Sequence, residues 1–207
     1  MEIRLTPIYL VVALVVLVLP STASASSFIK APNNLGLVGY WSFNEGTGLK
    51  AGDFSGYSNH GTLTGGPTWA GGKFGGGLNF DGVNDRVTIP VTGSYVAKGN
   101  LGFASSESFA ISLWYRGTDT SGGHASVGKG LLVIPDGTVW AGLVMFNGYP
   151  EFAHYNAGWN HNIRSAVNIA DNTWHQVTYV NNNDLGWLYV DGVAVVSGAS
   201  SVIETGK

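Results

Sequence analysis

Residues 108–116 read SFAISLWYR, and this stretch decides the class of fold. Every second position carries a large apolar side chain, at Phe109, Ile111, Leu113 and Tyr115. The positions between them carry small or polar ones, at Ser108, Ala110 and Ser112. A period of two residues is typical of a β-strand with one face against a core, so one face of this strand is predicted to be buried.

Other segments on both sides of this strand have the same β-branched and aromatic enrichment. They are residues 37–43, 77–80, 86–89, 139–146, 173–180, 185–190 and 193–196. Asp191 and Gly192 join the last two as a tight turn, because this dipeptide accepts positive φ. No segment after residue 35 has twelve residues at helical period with a cap. The sequence therefore predicts an all-β chain, as an antiparallel sandwich or barrel.

Composition excludes two classes of partner. Charged residues make up 11% of the 207 residues, the formal net charge is −3, and no stretch concentrates Lys and Arg. Nucleic acids and anionic membranes both require clustered Lys and Arg, so neither is predicted as a partner. The chain has no Cys, so core burial must hold it together without disulfides, which favours a prokaryotic source.

The N-terminus has the pattern of an export signal. Arg4 precedes an apolar run over residues 8–19, and Ala-Ser-Ala at 23–25 forms a cleavage site. The run is too short for a membrane anchor, which needs about 20 apolar residues. We predict a signal peptide over residues 1–25, a linker over 26–35 and one domain over 36–207, in a secreted or cell-surface protein that is not inserted in the membrane after cleavage.

Five segments appear in an order known from one protein family. They read GYWSFNEGTG (39–48), DFSGYSNHGTL (53–63), GLNFDGVND (77–85), FAISLW (109–114), and WHQV (174–177) followed by LYVDG (188–192). This order resembles laminin G-like domains of the concanavalin A-like lectin/glucanase superfamily. The resemblance implies an antiparallel β-sandwich of the jelly-roll type.

Family members usually end with one or two further strands, the last of which carries an acidic Ile-Asp-Glu-Val-like motif and pairs beside the first strand. Residues 198–207 do not resemble that motif. The resemblance therefore implies that the last strands are missing and that residues 37–43 form an unpaired edge.

Large aromatic residues on the predicted strands are interpreted as core residues before any binding role is considered, since they lie among apolar neighbours. They are Trp41, Phe43, Phe80, Trp114 and Trp174.

Catalysis is not predicted. Retaining glycosidases need two carboxyl groups about 5–5.5 Å apart, and on a strand this requires carboxylates at alternate positions. Glu45, Glu107, Glu151 and Glu204 each lack an Asp or Glu two residues away. There is no Gly-x-Ser-x-Gly motif, and the five His residues are scattered. A glucanase-like hydrolase is thus the least favoured alternative.

Two Gly-rich loops carry oxygen ligands of the kind that Ca²⁺ prefers, and related sandwiches often bind Ca²⁺ at such loops. The candidate ligands are Asp53 and Asn59 in the first loop and Asp81, Asn84 and Asp85 in the second. The alternative is that these side chains form local turn hydrogen bonds, which Asp and Asn commonly do.

Residues 149–161 combine aromatic and amide side chains in the way that a glycan site requires, with rings for stacking and amides for hydroxyl groups. The candidate ligand-binding residues are Tyr149, Tyr155, Asn156, Trp159 and Asn160. An ordinary hairpin with alternate rings in the core is the alternative. The leading hypothesis is a non-catalytic module that binds a glycan or another cell-surface ligand, and a purely structural spacer is its rival.

Overall fold

Antiparallel β-strands account for all the regular structure in the part of the chain that the computed structural model describes. The described residues are 36–90, 108–120, 130–136, 139–156, 159–182 and 185–199. The predicted signal peptide, residues 1–25, and the predicted linker, residues 26–35, lie outside them, as do residues 200–207. Within the described residues no helix is long and apolar enough to cross a membrane.

Thirteen strands are described. They are β1 (Lys50–Ala51), β2 (Gly61–Thr64), β3 (Thr68–Gly71), β4 (Gly76–Asn79), β5 (Arg86–Thr88), β6 (Phe109–Tyr115), β7 (Gly130–Asp136), β8 (Val139–Phe146), β9 (Tyr149–Asn156), β10 (Trp159–Arg164), β11 (His175–Asn182), β12 (Leu185–Val190) and β13 (Val193–Ala199).

Two four-stranded sheets form the body of the fold. The C-terminal sheet has the order β13-β12-β11-β6, and the middle sheet has the order β10-β9-β8-β7. Smaller sheets of order β1-β2-β5 and β3-β4 precede them in the chain. All pairings are antiparallel, so the predicted all-β sandwich is confirmed.

One hydrophobic core joins the two large sheets. Ile111, Val177 and Tyr179 of the C-terminal sheet lie in the same buried cluster as Leu143 and Phe152 of the middle sheet. The rings of Tyr179 and Phe152 stack with their centroids 3.7 Å apart. The alternation that predicted a buried face on residues 109–115 is confirmed, because Ile111 is buried while Ala110 and Ser112 are exposed.

The turn between β12 and β13 follows its prediction. Asp191 and Gly192 have φ of 51° and 79°. These values suit a two-residue hairpin turn, which needs positive φ at both positions. Asn147 and Gly148 join β8 to β9 in the same way, with φ of 53° and 84°.

The predicted strand over residues 37–43 is wrong. This segment forms only an isolated bridge between Trp41 and Asp53. Side chains take up its backbone groups instead, since Tyr40 N donates to Asp53 and Asn59 donates to the Val38 carbonyl. The predicted edge strand therefore does not form here as regular structure.

Two aromatic residues expected in the core are exposed. Phe80 keeps 47% of its surface exposed and Trp114 keeps 38%. Trp41, Phe43 and Trp174 are partly buried.

Candidate functional site

The outward face of the C-terminal sheet carries aromatic and polar side chains together. Trp114 of β6 pairs with Gln176 of β11, and in the next row Ser112 pairs with Thr178, which also pairs with Tyr189. Directly paired residues lie on the same face of a sheet. With the neighbouring turn and strand-end residues they form a continuous surface, called the outer strip below. Its residues are Lys73, Phe74, Ser112, Trp114, Arg116, Trp174, Gln176, Thr178, Trp187 and Tyr189.

Trp114 is the most accessible ring on the strands of the outer strip. Phe74, in the turn between β3 and β4, meets it edge to face, with ring centroids 5.4 Å apart and planes at 82°. Lys73 Nζ lies 5.3 Å from the Trp114 ring centroid. Phe74 is 70% exposed, so this aromatic pair faces solvent. Such a pair offers ring faces on which the apolar side of a sugar can stack.

Hydrogen-bonding groups lie beside these rings. Ser112 Oγ and Thr178 Oγ1 are 2.8 Å apart, and Gln176 Nε2 donates to Ser112 Oγ at 3.1 Å. Just beyond these strand segments, the Arg116 guanidinium lies 5.1 Å from the ring of Trp174. The outer strip therefore combines ring faces with hydroxyl and amide groups that can exchange hydrogen bonds with a polar ligand.

His175 joins two loops at one end of the outer strip. Its Nδ1 lies 2.7 Å from Asp191 Oδ2, and its Nε2 lies 3.1 Å from Asp171 Oδ1 and 2.9 Å from Thr173 Oγ1. An ionised carboxylate only accepts hydrogen bonds, so both ring nitrogens must donate to keep both carboxylate contacts. This geometry therefore favours the charged imidazolium.

The pKa of His175 follows from these contacts. Burial, the largest influence, lowers the pKa, but the hydrogen bonds and charges of Asp191 and Asp171 outweigh it and raise the pKa. The pKa of Asp191 is lowered because its bonds to His175 and to the Gln176 backbone outweigh its desolvation. For Asp171, hydrogen bonds from Thr173 are the main cause of a lowered pKa.

We expect the contacts of His175 with Asp171 and Asp191 to make the free energy of unfolding decrease as the pH rises. A raised folded pKa stabilises the fold fully below the unfolded pKa of about 6.5, and that stabilisation is lost as pH rises through the folded pKa. The melting temperature should therefore fall by a few degrees from pH 6 to pH 8, and less in His175→Gln. Thermal melts in matched buffers measure this. Equal slopes for wild type and His175→Gln would contradict it.

The first predicted calcium loop is organised around a buried carboxylate. Asp53 is 6% exposed. Its Oδ1 accepts hydrogen bonds from Tyr40 N at 2.8 Å and Ser55 N at 2.9 Å, and its Oδ2 accepts from Ser55 Oγ at 2.7 Å and Asn59 N at 2.9 Å. Although burial, the largest influence, raises the pKa of Asp53, these bonds outweigh it and lower the pKa.

Four protein donors therefore already occupy the oxygens that Ca²⁺ would need, and N–H donors cannot themselves coordinate a cation. The residues around Asp53 fit a loop-organising role and do not fit a metal ligand. Asn59 also helps to organise the loop, because its side-chain Nδ2 donates to the Val38 carbonyl and its backbone carbonyl accepts from Trp41 Nε1.

The second predicted calcium loop is an exposed turn. Asp81 Oδ1 accepts hydrogen bonds from Val83 N at 2.8 Å and Asn84 N at 3.4 Å, and Asp85 Oδ2 accepts from Asp81 N at 2.9 Å. In the described ranges no group of three or more His, Cys, Asp or Glu is placed to hold a metal ion. Calcium at Asp81, Asn84 and Asp85 stays a prediction.

The predicted glycan residues separate into two places. Tyr155 pairs with Trp159 across β9 and β10 and with Trp140 on β8, and Asn160 lies at the register shift that follows. Asn156 is the last residue of β9. Tyr149 begins β9, six residues from Tyr155 and therefore about 20 Å away along the strand. The structure thus brings four of the five residues to one end of the middle sheet and leaves Tyr149 at the other.

Glu151 would be a candidate acid or base if the chain were a hydrolase, but it is fully buried. Arg164 Nε donates to its Oε2 at 2.5 Å, and the same guanidinium lies 3.8 Å from the Phe146 ring. Its cross-strand neighbours are Val144 and Arg164, so no carboxylate faces it across either strand pair. This environment fits a structural ion pair between buried Glu151 and exposed Arg164 better than an acid or base that must reach a substrate.

The family comparison agrees with the later sequence motifs, at residues 109–114, 174–177 and 188–192. The Laminin G domain family matches residues 106–206, which include β6 to β13. Residues 106–206 are similar to a laminin G domain. The resemblance predicted from the motifs is therefore confirmed, and domains of this family are generally non-catalytic.

Two solved structures support the fold of this laminin G-like domain. Domain 4 of AbnA, an extracellular arabinanase from Geobacillus stearothermophilus solved with arabinotriose, matches with a TM-score of 0.60 and 20% identity over 78% of this chain and 74% of that chain. The binding domain of Paraclostridial Mosquitocidal Protein 1 matches with a TM-score of 0.58 and 16% identity over 74% of this chain and 38% of that chain. No curated protein sequence matches the chain.

Sequence reasoning missed the outer strip of this laminin G-like domain, although a signal for it exists. Trp114 occupies the same alternation phase as Ala110 and Ser112, which the pattern assigns to the outward face. The size of the Trp114 side chain suggests a core position, but the alternation of the strand assigns it to the outward face. A large aromatic side chain at a strand position where the alternation predicts a small or polar one is therefore the signal that could have identified the outer strip.

Proposed function

We propose that this laminin G-like domain is a non-catalytic carbohydrate-binding module that acts outside the cell. The observation that carries the proposal is the exposed Trp114–Phe74 pair beside the hydrogen-bonded hydroxyl and amide groups of Ser112, Thr178 and Gln176. The pair lies directly beside these polar groups on one face of the sheet, so a ligand that needs both ring faces and hydrogen-bonding groups accounts for its exposure better than packing does.

Further support comes from the fold and from the N-terminus. The AbnA domain, which has a similar fold, was solved with arabinotriose, so a sandwich of this kind can present a saccharide site. The signal-peptide pattern over residues 1–25 agrees with export. Four of the predicted glycan residues, Tyr155, Asn156, Trp159 and Asn160, have their backbones at one end of the middle sheet and are the second candidate site for the same function.

Affinity electrophoresis in gels containing soluble arabinan, xylan or mixed-linkage β-glucan tests the proposal. We expect at least one polysaccharide to retard the protein, and Trp114→Ala to weaken binding about tenfold, which corresponds to about 1.4 kcal/mol. The expected loss arises because the ring supplies apolar contact that the small methyl group cannot replace. Tyr57→Ala is the matched control, since Tyr57 is an exposed aromatic of the N-terminal segment with 47% of its surface accessible.

The outcomes separate the alternatives. If Trp159→Ala weakens binding and Trp114→Ala does not, the ligand binds at the end of the middle sheet and the outer strip is not the site. If Tyr57→Ala weakens binding as much as Trp114→Ala, the loss at Trp114 is not specific and neither surface is identified by its aromatic side chains. If no polysaccharide retards the protein, the structural spacer replaces the binding module as the best account.

A further inference from the structure

The outer strip is long compared with the size of one sugar-binding subsite. Outward positions on β11 and just before it recur at Trp174, Gln176, Thr178 and Val180. Alternate residues of an antiparallel strand are about 6.8 Å apart, so these four positions span about 20 Å.

Ring faces lie towards both ends of this span, and polar groups lie between them. Trp174 and Trp114 lie towards one end. Trp187, paired with Val180, lies at the other, and Tyr189 occupies the row before it. From Trp114 on β6 to Trp187 on β12 the separation is about 13 Å along the strands and about 10 Å across them. The Gln176 amide lies in the row of Trp114, and the hydroxyl groups of Ser112 and Thr178 lie in the row between Trp114 and Trp187.

Among the described residues, the surface is most accessible at Trp114 and Phe74 and partly accessible at Trp187 and Tyr189. Sites for small ligands are concave and bury most of the ligand, whereas this one is the outward face of a sheet. Its raised part is the turn that carries Lys73 and Phe74, which contacts Trp114 from one side. The large exposed fractions of Trp114 and Phe74 show that this turn does not enclose the ring.

We infer that the outer strip binds an internal stretch of a linear, neutral polysaccharide, laid diagonally across β6, β11 and β12. This rests on the proposed function. A single sugar can contact one end only, while an extended chain contacts both ends and the polar groups between them. The second contact adds affinity without a second loss of translational freedom, so affinity rises with chain length. The rows between the ends are uncharged, which matches a neutral chain.

Isothermal titration with arabino-, xylo- and cello-oligosaccharides, from disaccharide to octasaccharide, tests the inference. For the series whose polymer retards the protein, we expect affinity to rise at least tenfold with length and then to level off, with the octasaccharide close to the polymer. Trp187→Ala should lower the affinity for the octasaccharide towards that for the short members, and leave the disaccharide that stacks on Trp114 unaffected. Gln176→Ala, which removes a polar group that bonds to Ser112 in the next row, is a second variant that does not remove a ring.

Each outcome has a distinct meaning. A disaccharide that binds as tightly as the octasaccharide overturns the extended-chain inference and leaves the proposed function standing. The inference is also overturned if affinity rises with chain length to the same extent in wild type, Trp187→Ala and Gln176→Ala. The outer strip would then not be the surface that binds the longer chain. Absence of binding by every oligosaccharide and polymer removes the proposed function itself.

Discussion

Replacing Tyr179 by Ala is expected to lower the free energy of unfolding by about 4 kcal/mol, as for other large aromatic truncations in cores. Tyr179 is fully buried in β11, and its ring stacks on Phe152 of β9 with an interplanar angle of 2°. Phe109 of β6 packs on the same ring with centroids 5.8 Å apart. The side chain therefore links the two large sheets, and its removal leaves a cavity at their interface.

Tyr179→Phe is the matched control for this change. It keeps the ring and its stack and removes only the hydroxyl, which lies 3.5 Å from Asn181 Oδ1. Loss of one hydrogen bond of that length should cost about 1 kcal/mol or less. Urea unfolding followed by far-UV circular dichroism measures both variants. If Tyr179→Ala costs no more than Tyr179→Phe, the stacked pair does not hold the sheets together.

The strands of the two large sheets were the most predictable part of the fold. The residue ranges predicted for β8 and β12 match the observed strands, and β6 differs from its prediction only at the ends. The reason is local. β6 has one buried and one accessible face, so its sequence alternates, whereas residues 141–145 of β8 are all buried and form a continuous apolar run. Asp191 and Gly192 were predictable for a similar reason, since few residue pairs accept positive φ at both positions.

The N-terminal segment was not predictable from local pattern. Residues 37–43 have strand composition, but Asp53 and Asn59, which lie 13 and 21 residues away from their partners in that segment, bind its backbone groups. Side chains that are distant in sequence decide this conformation, and periodicity carries no information about them. The same limit explains why Asp53 could be interpreted as a calcium ligand, because Asp in a Gly-rich loop suits both roles.

The candidate site was predictable only as a type of surface. Aromatic and amide residues indicated glycan binding, but their partners across the sheet depend on register, which the sequence does not state. The register pairs Trp159 with Tyr155 and Trp114 with Gln176. Phe74 joins Trp114 from a turn forty residues earlier, a contact that only the folded chain reveals.

Asp53→Ala is expected to destabilise the fold by about 3 kcal/mol, because three backbone N–H groups of Tyr40, Ser55 and Asn59 lose their acceptor together. Unsatisfied buried donors cost more than the hydrogen bonds contributed, so the loop should also loosen. Hydrogen exchange of these three amides should accelerate more than that of β11. Thermal melts and exchange measurements test both expectations, and Asp81→Ala in the exposed turn is the control that should cost less than about 1 kcal/mol.

Asp53→Asn distinguishes the charge of Asp53 from its shape. The amide keeps one acceptor oxygen but turns an NH₂ group towards two donors, so its cost should lie between those of wild type and Asp53→Ala. Since the pKa of Asp53 is lowered, its stabilising contribution is complete above the unfolded pKa of about 3.9 and is lost as pH falls through the folded pKa. As the pH falls through this range, the free energy of unfolding should therefore decrease less steeply in Asp53→Asn than in wild type. If a chelator lowers the melting temperature of wild type but not of Asp53→Asn, Asp53 binds a cation, and the loop-organising role is wrong.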